Sequence, residues 1–150
     1  MIRFVSLSQP PRDWEINFLY QILVQRKHSI SHKQIPSLEQ HRQFVLNHPY
    51  KYWSIVFNRS QKIGAVYVCF DNSVGIHILP GSMLCRSSVI LEVLKHFKPV
   101  PGRASSVPEN FVFNVADGDI EYEKDLIRCG AVRLQATFCI KEYNDNRDCC

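Results

Sequence analysis

Ile63-Gly64-Ala65-Val66-Tyr67-Val68-Cys69-Phe70-Asp71-Asn72-Ser73-Val74-Gly75-Ile76-His77-Ile78-Leu79-Pro80-Gly81 is the stretch that decides the fold. Ile63 to Phe70 is nearly all apolar and reads as a strand, and Asp71-Asn72 supplies a turn. Beyond the turn, Val74, Ile76 and Ile78 alternate with Gly75, His77 and Leu79 until Pro80-Gly81 stops the run. Upstream, Tyr52 to Phe57 is a third β-rich run, joined to Ile63 through the polar turn Asn58-Arg59-Ser60-Gln61. Three such runs with short polar connections predict an antiparallel meander.

On the N-terminal side, Ile2 to Leu7 reads as a short first strand closed by Pro10-Pro11. Ile16, Leu19, Tyr20 and Leu23 recur at helical spacing between Asp13 and Arg26. Ser37-Leu38-Glu39-Gln40 is a capping box, because the serine oxygen and the glutamine amide can satisfy free N–H groups of a new helix. That helix should run to about Asn47 and stop before Pro49. On the C-terminal side, Val89, Ile90, Val93, Leu94 and Phe97 share one face of a helix over 86–97. A proline-rich connection leads to a strand with Phe111, Phe113 and Val115, then a helix from Asp119 to Cys129 ended by Gly130. Val132, Leu134, Ala136, Phe138 and Ile140 alternate as a last strand. The expected order is β-α-α-β-β-β-α-β-α-β, an α/β (α+β) mixed sheet in one domain over 1–143, with a polar tail at 144–150. The helix between the fourth and fifth strands lets those two lie parallel.

Composition narrows the function. The chain has 150 residues, 45% hydrophobic and 21% charged, near the averages of a soluble globular domain. No window reaches the roughly 18 uninterrupted apolar residues of a membrane span, and the start shows no secretory signal, so a cytoplasmic location is expected. The net charge of +4 comes from 18 basic against 14 acidic residues scattered along the chain. Without a basic, aromatic-laced stripe, a nucleic-acid reader is not expected, whereas a cleft for a small anionic molecule fits. The six cysteines form no C-x-x-C pair, which argues against zinc and against a thioredoxin-like site. Cys149-Cys150 reads as a bare reactive tail, and Asn58-Arg59-Ser60 as a polar turn. Nothing matches a Ser/His/Asp triad, a Walker loop or a dinucleotide fingerprint.

The element order resembles the GNAT (GCN5-related N-acetyltransferase) fold, and local sequence from about Ile30 to Phe138 supports it. Ile30-Ser31-His32, Pro36-Ser37-x-x-x-His41-x-x-Phe44, His48-Pro49-Tyr50-x-x-Trp53, Lys62 to Tyr67 and Val74-Gly75-Ile76 are similar to a bacterial branch of that family, as are Gly130 and Gln135-x-Thr137-Phe138. The branch also resembles acetyltransferases that act on amino groups of nucleotide-linked sugars. The resemblance implies acetyl-CoA as cosubstrate, a small-molecule primary amine as acceptor, direct attack of the amine on the thioester, and pairing of two copies through exposed sheet edges.

It further implies a splay between strands four and five. Backbone groups of Ile76, His77, Ile78 and Leu79 would pair with the pantetheine arm as with an added strand. An N–H near Leu79 would polarise the thioester carbonyl. The pyrophosphate would sit at the start of the following helix. Here the sequence departs from the family's Gln/Arg-x-x-Gly-x-Gly/Ala loop, placing Ser82, Cys85 and Ser87 at those positions. Either Ser87, Ser88 and Arg86 replace the missing glycine backbone, or phosphate binding has decayed and the domain binds a ligand or partner without catalysis. Asn114 and Asp119 fall at the family's cofactor-touching positions of and after the fifth strand. Leu126 stands where a tyrosine acid is usual, with Tyr122 one turn earlier on the same face. Candidate proton acceptors are His77 and Asp71, and His32 lies in the loop expected to cover the acceptor.

Overall fold

The computed structural model describes residues 1–28, 34–82 and 86–137. Five strands, β1 (Ile2–Ser6), β2 (Tyr52–Asn58), β3 (Gln61–Val68), β4 (Ser73–Ile78) and β5 (Val112–Phe113), form one sheet in the order β1-β2-β3-β4-β5. The first four pair antiparallel, and β5 joins β4 in parallel. The expected meander is therefore present, as is the parallel fifth strand.

Among the described residues, four helices cover the sheet: α1 (Asp13–Gln25), α2 (Leu38–Leu46), α3 (Arg86–His96) and α4 (Ile120–Arg128). Alternation along the strands divides the core in two. Val56, Val66, Val74 and Ile76 face α3 and α4, whereas Trp53, Ile55 and Ala65 face α1 and α2. The cap at Ser37 forms as its spacing predicts. Gln40 N–H donates to Ser37 Oγ at 3.2 Å, and Ser37 N–H donates to Gln40 Oε1 at 2.9 Å. At the end of α4, Gly130 (φ +89) permits the two closing bonds, Gly130 N–H to Ile127 C=O and Ala131 N–H to Leu126 C=O.

Asn72 carries more than a turn. It is buried with φ +64, and its Nδ2 donates to the carbonyls of Val100 (2.9 Å) and Pro108 (2.7 Å). Its Oδ1 accepts the Val100 N–H at 2.7 Å, and its own carbonyl accepts the Val112 N–H at 3.0 Å. The side chain thus pins the proline-rich connection to the β3–β4 hairpin, and the backbone carbonyl of the same residue takes the first N–H of β5.

The last strand is a correction. Residues 131–137 form no strand, and Val132 and Leu134 are 80% and 75% exposed. β5 spans two residues instead of the expected run to Val115, so it offers a following strand almost no ladder to extend. Phe138 and Ile140, and the tail from 144, lie outside the described residues.

Asn72→Gly keeps the left-handed backbone available while removing all three side-chain bonds. It should cost about 2–4 kcal/mol of unfolding free energy, read from urea midpoints, because three part-buried hydrogen bonds to Val100 and Pro108 are lost together.

Candidate functional site

The β4–β5 ladder holds only the pairs Ser73↔Val112 and Val74↔Phe113. Beyond Val74 the strands separate. The direction of the backbone groups there follows from the other edge of β4. Leu79 N–H donates to Ile63 C=O at 2.8 Å, and Cys69 N–H donates to Ser73 C=O at 2.8 Å, so odd-numbered β4 residues bond toward β3. The N–H and C=O groups of Ile76 and Ile78 consequently turn toward the gap. Of the four backbone positions expected to face a ligand, Ile76 and Ile78 turn toward the gap. His77 and Leu79 face the sheet, and the Leu79 N–H is already occupied.

At the end of β4 the chain turns through Pro80 and Gly81 (φ +79), with Ser82 N–H donating to Leu79 C=O at 3.3 Å. Proline second and a left-handed glycine third make this a type II turn, which aims the chain at the start of α3. Cys85, expected in the phosphate loop, and His32, expected over the acceptor, lie outside the described residues. Ser88 is half-buried in the first turn of α3. Arg86 and Ser87 are there too, but both are engaged with α4. Arg86 Nη1 stands 3.5 Å from Asp119 Oδ2, and Ser87 Oγ donates to Asp125 Oδ1 at 2.7 Å. Asp119 is the N-cap of α4, accepting the Tyr122 N–H at 3.2 Å. Its two oxygens therefore serve the helix and Arg86. Asn114 is exposed just past β5.

Tyr122 lies on the inner face of α4 at 5% exposure, beneath the Arg86 guanidinium, which sits 4.5 Å from the ring centre. Its hydroxyl has no hydrogen-bond partner among the described residues. Burial raises its pKa, and the positive charge of Arg86 pulls in the opposite direction. The hydroxyl is thus a fully protonated donor at neutral pH.

The other side of the gap is aromatic. His77 shares the α1–α2 face of the sheet with Tyr67, ring centres 6.0 Å apart. Tyr67 lies against Gly75, where its ring leaves no room for a Cβ, and Tyr50 stacks on it at 4.2 Å. His48 closes the stack on Tyr50 at 5.7 Å. The glycine of Val74-Gly75-Ile76 thus makes room for a cross-strand tyrosine. Burial, reinforced by the charges of Arg26 and Arg86, lowers the His77 pKa to about 4. The imidazole is neutral at pH 7 but is a weak acceptor for an ammonium proton. Asp71, the other expected acceptor, sits at the opposite end of β4, about 20 Å away at ~3.3 Å per residue. Its Oδ1 accepts the Ser73 hydroxyl and N–H at 2.6 and 2.9 Å, which holds its carboxyl below the usual range. It closes the hairpin and does not join His77.

The sequence reading missed Arg26, Tyr67, Tyr50 and Asp125 around this gap. Only Gly75 opposite Tyr67 carried a signal, since a strand glycine marks close approach of another group. Among the described residues, no group of His, Cys, Asp or Glu side chains could hold a metal ion. No described helix is long and apolar enough to cross a membrane.

Because folding depresses the His77 pKa, the unfolded chain binds more protons between about pH 4 and 6.5. Stability should therefore rise with pH across that window and be complete above it. Burial likewise lowers the pKa values of His41 and His48, which adds to the slope. Urea midpoints measured from pH 4 to 7 should show the rise, and His77→Gln should flatten it.

No protein-family model and no curated protein sequence matches the chain. Solved structures do. A candidate acetyltransferase belonging to the GNAT family, from Xanthomonas campestris pv. campestris, superposes over 93% of this chain and 94% of its own, with a TM-score of 0.55 at 15% identity. A possible acetyltransferase from Clostridium difficile 630 superposes over 96% and 97%, with a TM-score of 0.55 at 7% identity. At these identities the likeness is one of fold: a mixed α+β chain with the GNAT-like arrangement of helices and sheet.

Proposed function

We propose that this protein is an acetyl-CoA-dependent N-acetyltransferase that acts on a primary amine of a small molecule, an amino sugar being one candidate acceptor. The observation that carries the reading is the opening between β4 and β5, with the backbone groups of Ile76 and Ile78 turned into it. An extended amide-bearing arm such as pantetheine pairs with such groups as an added strand does. Arg86 and Ser88 at the start of α3, with Asn114 beyond β5, are the residues that would hold the rest of the cosubstrate.

The chemistry assigned to the chain's own groups is modest. The Ile78 N–H, in place of Leu79, donates to the oxygen on which negative charge develops as the amine nitrogen attacks the thioester carbonyl. The C–S bond breaks, and the buried Tyr122 hydroxyl gives its proton to the departing sulfur. His77 stays neutral beside the acceptor and accepts a hydrogen bond from the amine. The ammonium proton passes to water, because a group with a pKa of about 4 is a poor base for it.

A second reading, a non-catalytic domain that binds a ligand or partner in the same cleft, draws on Leu126 at the usual tyrosine position and on the carboxylates at the start of α3. Calorimetric titration with acetyl-CoA, and with dephospho-CoA as control, separates the readings. Binding on the order of micromolar that weakens without the phosphate supports the cosubstrate. An absence of binding at millimolar concentration rejects the enzyme. Tyr122→Phe should leave binding intact and lower kcat by about ten- to a hundredfold.

A further inference from the structure

The first turn of α3 is where the acyl-CoA reading puts phosphate, yet α4 already presents carboxylates to it. Arg86 and Asp119 face each other with side chains 24% and 15% exposed. The Asp125 oxygen that accepts the Ser87 hydroxyl also meets Arg128 at 3.1 Å. The helix dipole and the Arg86 charge make this end of α3 attractive to an anion, and the chain supplies anions of its own. Beside them, the Tyr122 hydroxyl is buried without a partner among the described residues. A buried polar group in that state points to a partner that arrives from outside.

We propose that Asp119 is an internal competitor for the anion site at the start of α3, with Asp125 as its auxiliary. Asp119 holds the Arg86 guanidinium over the Tyr122 ring, and a phosphate or pyrophosphate group takes that guanidinium by displacing the carboxylate. Asp125 competes in the same way for the Ser87 hydroxyl. The division of labour within Asp119 lets this happen without unwinding α4. Oδ2 faces Arg86, while Oδ1 keeps the Tyr122 N–H. The ligand's identity rests on the acyl-CoA reading, but its charge does not.

The test is calorimetric titration of CoA and of inorganic pyrophosphate into the wild type, D119N, R86Q and the double variant D119N/R86Q. Asparagine caps a helix as well as aspartate does, so D119N removes charge and keeps the start of α4. Thermal melts of each variant confirm that. D119N should bind both ligands about three- to tenfold more tightly, since a partly shielded ion pair no longer has to be broken. R86Q should weaken both, and the gain from D119N should vanish in the R86Q background. D125N provides an independent variant and should give a smaller gain. If the wild type binds CoA and D119N and D125N bind it no more tightly, the competitor is refuted while the acyl-CoA reading stands. If D119N gains pyrophosphate affinity and no variant binds CoA, the competitor stands and the acyl-CoA reading falls. If neither ligand binds any variant, both are overturned.

Discussion

Asn72, through its side chain and its backbone carbonyl, joins segments that are distant in sequence, and the shape of the gap depends on it. Its amide holds Val100 and Pro108 while its carbonyl takes the Val112 N–H, so the long proline-rich crossover ends at one fixed place beside β4. A parallel strand needs such a crossover, and most chains route it through a helix that packs on the sheet. Here α3 packs on the sheet, but the residues after it carry prolines and have no ladder of their own. An amide with two donors and an acceptor supplies the missing bonds from a single buried position. Because β5 is anchored at its beginning and spans two residues, the two strands part immediately afterwards.

Everything placed around the gap follows from that divergence. The edge of β4 that would otherwise pair with β5 presents Ile76 and Ile78 backbone groups. On one side the stack of Gly75, Tyr67, Tyr50 and His48 fixes a rigid wall carrying His77. On the other, α3 and α4 meet through two carboxylates, a guanidinium and a buried phenol. Charge is unevenly distributed between the two walls. Burial, reinforced by the guanidiniums of Arg26 and Arg86, holds His77 neutral, while Asp119 and Asp125 offset the positive end of α3. A group recruited to a helix N-terminus therefore meets competition there, which a glycine-rich backbone loop would not present.

Much of this was legible from local pattern. The Ser37 capping box, the Gly130 helix end, the Asp71-Asn72 turn and the meander rest on interactions between residues a few positions apart, and each formed as expected. Ile76, Ile78 and Tyr122 were also nameable, since strand alternation and helical spacing assign a face to each. The misses lie where another residue, near or remote, already takes the group. Asp71 was credited with chemistry and turned out to serve Ser73 next door. Leu79 was given a free N–H that Ile63 takes, and Ser87 and Arg86 were offered to phosphate although α4 claims both. The alternation at Val132, Leu134 and Ala136 was a sound strand signal that residues 131–137 do not realise.

The sequence by itself determined the four helices, the first four strands and their order, because helix caps, turns and apolar periodicity are short-range consequences of side-chain chemistry. It also allowed β4 and β5 to run parallel, since the intervening helix gives the chain a route back along the sheet. Only the tertiary structure decided which backbone groups of β4 are free, which carboxylates reach the start of α3, and how far His77 is stripped of its basicity. Those outcomes depend on which distant atoms come within hydrogen-bond or Coulomb range. That is set by the packing of α4 against α3 and by the point at which Asn72 lets β5 begin, and neither is written in any single stretch of the chain.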